Sequence, residues 1–600
     1  MQQNAEAIKE PRVPPVRELL SCVKAADVAQ LLRLDKKKYV AKVKALHEKR
    51  EQFITRWKAI RDYQLPYIGE FEDTDDETNA ARRKDKHIYH SVAWEANQIF
   101  SAGVMSGLTP PARKWFRLAF SDQGLSNQEG IGALLDQRVE IMNNVLAKSN
   151  FYNVIHSCYL ELAFGQAPLA IFPDTKYGVH FKTFTVGTYM LEDGPDGAIN
   201  TFVHKYRMTA QQLADKFGLE NLPHNIRHEL ATSSGMAKKY KVIWLVEPNR
   251  MTVPDKLFSF YKPYLSIYWL EQSDADEWLY IGGFDEFPVP VARYLVTGSD
   301  TYGKGPGWFA EGDAKGLQLL EKDDITAVEL GVKPPMLATA DNALKGINLV
   351  PGGKTYSAQP DAVKPLFNVA LNLEHLQQKI VDLENRIKRA YNADLFLMLN
   401  NMEDKTMTAR EVLERTQEKL TQLGPVVQRL QFEFLSPIIE RVYNILDRAG
   451  VFPQPEDREL AEFLANEEIK IEYISPLEQA QKISGITNIE QLMQFTGQLA
   501  QFDQAVLDKI DFIEVVNKYA EMIGTPDSIR RSDKEFEEIQ AQKQQQQQQQ
   551  EQMMQMQQMA QTAAPAAQAA KNIAEATREP NPIVAQAMNQ LGAGGETYVE

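Results

Sequence analysis

The chain has 600 residues, 44% hydrophobic and 24% charged, with a formal net charge of −15. That composition is ordinary for a globular chain long enough for several domains. The charge excludes a conventional DNA-gripping protein, which gains affinity by neutralising phosphates with Lys and Arg. Cys22 and Cys158 lack CxxC or CxH neighbours, so two reduced thiols are expected rather than a disulfide framework or zinc site. The start, MQQNAEAIKEPRVPP, has no apolar core of a signal peptide. No run approaches about 20 apolar residues, so no membrane span is expected.

Residues 1–30 read as an N-terminal arm. From Leu34 to Arg61, Tyr39, Val43, Leu46, Phe53, Ile54 and Trp57 recur near helical spacing. An exposed loop follows, acidic at Glu70–Glu77 and basic at Ala81–Lys86. Ser91–Met105 predicts a second helix, stopped near Gly107 by Pro110 and Pro111. Residues 126–165 read as helical. Between about 168 and 300, short β-branched and aromatic runs predict an antiparallel block, with turns at Asp193–Gly197 and at Gly282-Gly283 and a helical insert at Ala210–Phe217.

From Gly312 the pattern is mostly helical. Gly312–Gly331 ends at Lys333-Pro334-Pro335, and INLVPGGKTYS, within 336–365, reads as a hairpin. Asn372–Tyr391 follows, about 30 Å long at about 1.5 Å per residue. A polar stretch, Asn392–Thr406, precedes a long helical region, Thr408–Ala449, with a capping box at Thr408 and Glu411. Gly424-Pro425 and Ser436-Pro437 should kink or break it, and Gly450 should cap it. More helices follow 475. Seven glutamines, Gln544–Gln550, then open a low-complexity tail that can bury no core alone. The fold class expected is α+β, mainly α-helical.

The chemistry-bearing motifs are weak. There is no GxxxxGK[ST], and Gly303-Lys304-Gly305-Pro306-Gly307 reads as a turn, since proline removes a donor a phosphate cradle needs. His87 and His90, and His224 and His228, lack an HExxH arrangement and read as surface histidines. Asp75-Asp76-Glu77 and Asp323-Asp324 read as solvated faces. Trp115 and Phe116, within ARKWFRL, read as a core strand beside a basic face, not a stacking platform for single-stranded nucleic acid. No catalytic, metal or cofactor site is identified, and the chain is expected not to be an enzyme.

Six segments in order resemble the head-to-tail connector (portal) family of short-tailed phages. They are WKAIRDYQLPYIGEF (from Trp57), HSVAWEANQIFSAGVMSGLTPPARKWFRL (from His90), FDEFPVPVARYLVTGSDTYGKGPGWFAEGDAKGLQLL (from Phe284), VKPPML (from Val332), MTAREVLERTQEKLTQLGPVVQRLQFEFLSPIIERVYNIL (from Met407) and IEYISPLEQAQK (from Ile471). Of these, YGKGPG at Tyr302–Gly307 is the most specific. The glutamine-rich tail departs from the pattern.

The resemblance implies a portal fold with wing, stem, clip and crown in a dodecameric ring. The wing would be 31–311, the stem helices 312–335 and 372–391, the clip 336–371 and the tunnel loop 392–407. The segment 408–474 would run from wing to crown, 475–543 would form the crown, and 544–600 would be a barrel or disordered tail. Asn400, Asn401 and Lys405 would face the DNA channel. Lys345, Lys354 and Tyr356 of the clip would meet the large terminase subunit and tail adaptors. Further partners implied are the major capsid protein, the scaffold protein and double-stranded DNA, with no membrane. The implied location is the unique capsid vertex of the virion, after assembly in the host cytoplasm.

The resemblance gives the charge a purpose. Twelve copies of a −15 chain carry about −180, and an acidic lumen lets DNA slide, because each Lys–phosphate contact adds grip. Two other readings stand beside it. One is a virion ring or scaffold without a DNA channel. The other is a metal-dependent nuclease or hydrolase using Asp323 and Asp324.

Overall fold

The computed structural model describes residues 24–71, 85–120, 131–253, 258–272, 277–338, 348, 363–365, 373–400, 423–453, 469–474, 489–500, 502, 504–523, 536, 539–546, 548–550 and 553–554. Helix α1 is Ala25–Leu31 and α2 is Lys36–Tyr63. The Asp35 carboxylate starts α2 by accepting from the Lys37 N–H at 3.0 Å. Val43, Leu46, Ile54, Trp57 and Ile60 on its inner face are buried, as the spacing predicts. Helix α3 is Val92–Leu108, and strand β1 is Phe116–Phe120.

The region read as helical over 126–165 contains two helices, α4 (Ile131–Lys148) and α5 (Phe151–Glu161). The break at Asn150 has a cause. Its side-chain amide donates to Phe181 O at 2.7 Å and its Oδ1 accepts from Phe181 N at 3.0 Å, as a neighbouring strand would. Strands β2 (Gln166–Asp174), β3 (Gly178–Thr183), β4 (Tyr189–Asp193) and β5 (Ile199–Thr209) follow.

After β5 come α6 (Ala210–Phe217), as the sequence predicts, then α7 (His224–Glu229) and α8 (Ser233–Met236). The block closes with β6 (Lys239–Pro248), β7 (Tyr264–Leu270), β8 (Tyr280–Phe284) and β9 (Val291–Arg293). Every strand pair is antiparallel, in a β3-β2-β9 sheet and a β4-β5-β6-β7-β8 sheet.

The turn at 193–197 is present, with Gly197 at φ +77 and Gly194 N donating to Ala198 O at 2.8 Å. The turn expected at Gly282-Gly283 is not; both glycines lie inside β8. A Cβ on Gly282 would fall 2.1 Å from the Tyr280 hydroxyl oxygen and one on Gly283 2.5 Å from Ser259 O. These glycines serve close packing on a strand rather than reversal of the chain.

One face of the five-stranded sheet is aliphatic. Val203, Leu245, Ile267 and Trp269 bury against Val28, Leu32, Val43 and Leu46 of α1 and α2. The opposite face is aromatic, and Trp244 stacks on Tyr268 with centroids 5.6 Å apart and planes 8° apart.

Beyond the sheets come α9 (Pro306–Phe309), α10 (Glu311–Val332), β10 (Met336–Ala338), β11 (Val363–Pro365), α11 (Leu373–Ala390) and α12 (Ala393–Asn400). β10 pairs antiparallel with β11, closing the base of the excursion between α10 and α11. The hairpin read in INLVPGGKTYS lies outside the described residues, as do the Thr408–Glu411 capping box, Cys22 and residues 555–600.

The polar break expected at Asn392–Thr406 begins instead as α12. ADLFLML is apolar enough to pack, and Leu395 and Phe396 are buried. Only Tyr391 and Asn392 separate α11 from α12, and Asn392 makes the turn. It takes φ +53, a left-handed conformation asparagine tolerates.

At Ser436-Pro437, where a kink or break is expected, the helix is distorted rather than ended. Residues 423–430 are helical, Gln431–Leu435 form a π turn, and α13 (Ser436–Arg448) continues. Pro437 has no N–H, and its ring crowds the carbonyl four residues back; the wider π turn absorbs the misfit without ending the helix. Gly450, at φ +66, ends α13 as expected. Its N–H reaches Asp447 O at 2.9 Å and Val451 N–H reaches Leu446 O at 3.0 Å, a Schellman closure.

Strand β12 (Ile469–Tyr473) returns to pair with β1. Trp115 and Phe116 beside this pairing are fully buried, as a core strand requires. Residues 489–499 and α14 (Phe512–Ile523) are helical. All the named elements belong to one compact unit, except that α4 begins in a second unit of 123–132 with 526–600. Within that second unit, residues 539–546 are helical.

Candidate DNA-channel and assembly elements

Helices α10 and α11 form an antiparallel pair. Ile380, Leu383 and Ile387 of α11 turn inward at i, i+3 and i+7, and Arg386 of α11 meets Asp313 of α10 at 3.8 Å. Amide side chains hold the base of the pair. Gln318, 3% exposed on α10, accepts at Oε1 from the N–H groups of Tyr89 (2.6 Å) and His90 (2.9 Å). Its Nε2 donates to His90 O at 2.9 Å. Gln64 Nε2 donates to Gly307 O at 2.9 Å, and Tyr391 OH donates to Gln64 Oε1 at 2.7 Å. His90 Nε2 lies 3.0 Å from Glu384 Oε1.

The HIYH motif is therefore part of this junction: His90 meets both helices, and His87 packs on Tyr63. Buried amides satisfied on both ends fix the roots of two long helices at little electrostatic cost. Periodicity could have found Gln318, since it shares the buried face of Ala314 and Leu317, where a polar residue needs partners.

YGKGPG sits at the same junction. A Cβ on Gly303 would lie 2.2 Å from Gly165 O, so two backbones cross with no room for side chains. Tyr302 is 2% exposed, and its hydroxyl accepts from the Leu191 N–H at 3.0 Å. The segment is a packing crossover rather than the turn expected from sequence: Gly305 is extended and Pro306 and Gly307 open α9.

The segment after Asn400 is bracketed by two anchored helices. On the leading side, Asn392 Nδ2 donates to the Tyr294 hydroxyl at 3.2 Å, and Phe396 fills the gap over Gly103 of α3. On the trailing side, Glu433 of the π turn accepts from Arg293 Nε of β9 and from Arg429 Nη1, both at 2.8 Å. About two turns on, buried Arg441 donates to Ile171 O at 3.1 Å and to Glu286 Oε2 at 2.9 Å. Desolvation brings the Arg441 guanidinium down to about 10, against the pull of Glu286.

Under the β2–β4 region lies one carboxylate of another kind. Glu161 accepts from the Thr185 hydroxyl at 2.5 Å and from the Val186 N–H at 3.0 Å, yet burial pushes it up to about 7. Burial likewise drives the Cys158 thiol up to about 12.

Of the residues nominated from sequence, Asn400 is the last residue of α12. Asn401, Lys405, Lys345, Lys354 and Tyr356 lie outside the described residues. His224 opens the short α7, which Pro223 precedes, and His228 lies one residue before its end at Glu229. Among the described residues no three His, Cys, Asp or Glu side chains gather as a metal site, and no helix is long and apolar enough to cross a membrane.

The family model described as "Bacteriophage head to tail connecting protein" matches residues 36–530. The portal protein of Salmonella phage epsilon15 is 33% identical over 507 residues, covering 82% of this chain and 88% of that protein. A probable portal protein of Bordetella phage BPP-1 is 32% identical over 483 residues, covering 80% and 86%. Among solved structures, a chain from the neck of an empty gene transfer agent particle aligns at 9% identity and TM-score 0.32, over 68% of this chain and 86% of that one. The sequence relatives span nearly the whole connector region, and the chain belongs to the bacteriophage head-to-tail connecting protein family: it is a phage portal subunit, a component of the virion.

Proposed function

We propose that this portal subunit closes into a ring, dodecameric by family resemblance, through which double-stranded DNA is packaged and ejected. The observation that carries the ring is on α10. Ile325, Val328 and Val332 recur at i, i+3 and i+7 and are 44%, 47% and 73% exposed, on a helix whose other face already packs on α11. An apolar stripe left open on a long paired helix is what a second copy of the same helix pair would cover.

In this reading the wing is 31–311, the stem 312–335 with 372–391, and the clip 336–371. The segment 408–474 leads to a crown of 475–543 and the tail of 544–600. The tunnel loop, expected at 392–407, starts after α12, so Asn400 stands at its root and Asn401 and Lys405 within it. Lys345, Lys354 and Tyr356 of the clip meet the terminase motor during packaging and tail adaptors afterwards, while capsid and scaffold proteins surround the ring at the vertex. The subunit needs no chemistry of its own.

Negative-stain imaging of the purified protein tests the ring: twelve-fold particles with a central hole support it, and filaments or compact monomers overturn it. A nuclease assay with magnesium or manganese, on wild type and on Asp323→Asn with Asp324→Asn, tests the enzymatic alternative. Activity lost in the double variant would establish that alternative.

A further inference from the structure

The aromatic face of the five-stranded sheet ends in a corner where β3, β5 and α6 meet. Lys182 of β3 and Lys216 of α6 reach over the same ring, that of Tyr206, with their ammonium nitrogens 5.3 Å and 5.7 Å from its centroid. Lys182 also covers Phe184 at 5.4 Å, and Lys216 covers Tyr268 at 4.5 Å. Lys216 Nζ donates to the Tyr206 hydroxyl at 3.2 Å. Among the described residues neither ammonium forms an ion pair with a carboxylate; their partners are rings and that hydroxyl.

Behind them His204, 6% exposed, stacks on Tyr206 and leaves its buried Nδ1 without a hydrogen-bond partner. An open pocket of about 470 Å³ lies at this corner, lined by Tyr206, Arg207, Met208, Gln212, Asp215 and Lys216; Lys182 is outside the lining and reaches it only over the Tyr206 ring. Two cations held side by side over one ring repel each other. Burial and then Lys182 bring Lys216 down to about 8, and burial followed by both lysines brings His204 down to about 3. The repulsion is relieved when an anion settles between them.

We propose that this corner binds carboxylates of an acidic, partly apolar peptide segment on a partner protein, with Lys182 and Lys216 as the pairing cations over Tyr206. The size and lining decide the occupant. The pocket is shallow and open, and its lining offers Met208 and Tyr206 to apolar groups, and Arg207 and Lys216 to an acid that must sit clear of Asp215. A duplex presents a long row of phosphates and is held by a matching row of cations rather than by one pocket. The whole chain is acidic at −15, so attraction of an acidic segment must be local to such a corner.

The test is fluorescence anisotropy on the full-length protein, using a labelled decapeptide of alternating glutamate and leucine. Unlabelled peptide, a short DNA duplex and inorganic phosphate serve as competitors. The expected result is salt-sensitive binding that weakens about tenfold or more in Lys182→Met with Lys216→Met and is retained in Lys216→Arg. Thermal melts confirm folding; should the double variant not fold, the exposed Lys182→Met alone must lower affinity. Unchanged affinity in the lysine variants overturns the site, and so does stronger displacement by duplex or phosphate than by the peptide.

Discussion

Phe396 occupies the space that a side chain on Gly103 would need: a Cβ there would lie 2.1 Å from the Phe396 Cγ. The contact joins α3 to α12. Gly103→Ala should therefore push α12 away despite alanine's higher helix propensity. Overpacking of this kind costs about 1–3 kcal/mol, so a lowered unfolding midpoint in denaturant is expected. An unchanged or raised midpoint would show that the α3–α12 contact is soft.

Arg441 ties α13 to the sheets through Ile171 O and Glu286. Arg441→Met leaves the Glu286 carboxylate with Arg448 and strands the Ile171 carbonyl. Leaving that carbonyl without its partner costs about 1–3 kcal/mol. Equilibrium unfolding should show that loss, and Arg448→Met, whose side chain is 45% exposed, a smaller one.

Glu161 sets a pH dependence whose sign is fixed by its position. Its folded value, about 7, stands above the ordinary 4.5, so between those values the folded state holds the extra proton. Stability from this group falls as pH rises from 4.5 to 7, by about 3 kcal/mol at most, and is level outside that window. His204 acts oppositely: its folded value of about 3 lies below 6.5, so its contribution rises with pH across that interval. The two overlap, and the difference between wild type and Glu161→Gln isolates the first. Urea melts from pH 4.5 to 7.5 should show the variant gaining on wild type as pH rises; parallel curves would refute the assignment.

Val328→Asp with Val332→Asp places charge on the open stripe of α10. Light scattering after size exclusion should show rings replaced by smaller species, with unchanged circular dichroism. Rings of normal size would mean that the stripe faces something other than a neighbouring copy.

Deleting Asn400–Lys405 should leave rings intact and reduce the DNA packaged or retained per particle. Normal packaging by that deletion would remove these residues from the channel.

The local pattern of the chain determined much of this. Helices α2, α6, α10 and α11 are legible because their buried residues recur at helical spacing, and a helix needs only neighbours in sequence. Tyr302–Gly307 was legible as a family mark. Its physical cause, Gly303 against Gly165, was not, because the two lie 138 residues apart in the numbering.

Tertiary structure alone decided the rest. β1 pairs with β12 across 355 positions at Arg117 and Glu472, so no local signal could join them. Asn392–Asn400 read as a polar break until a glycine on α3 gave Phe396 somewhere to pack. Ser436-Pro437 read as a kink or a break; which of the two it is was decided by a π turn, with Glu433 paired to Arg293 and Arg429, that carries the helix past the proline. Periodicity reports which face of an element is apolar; only the assembled chain says what that face meets, and the meeting decides whether a weak local signal ends an element or is overridden.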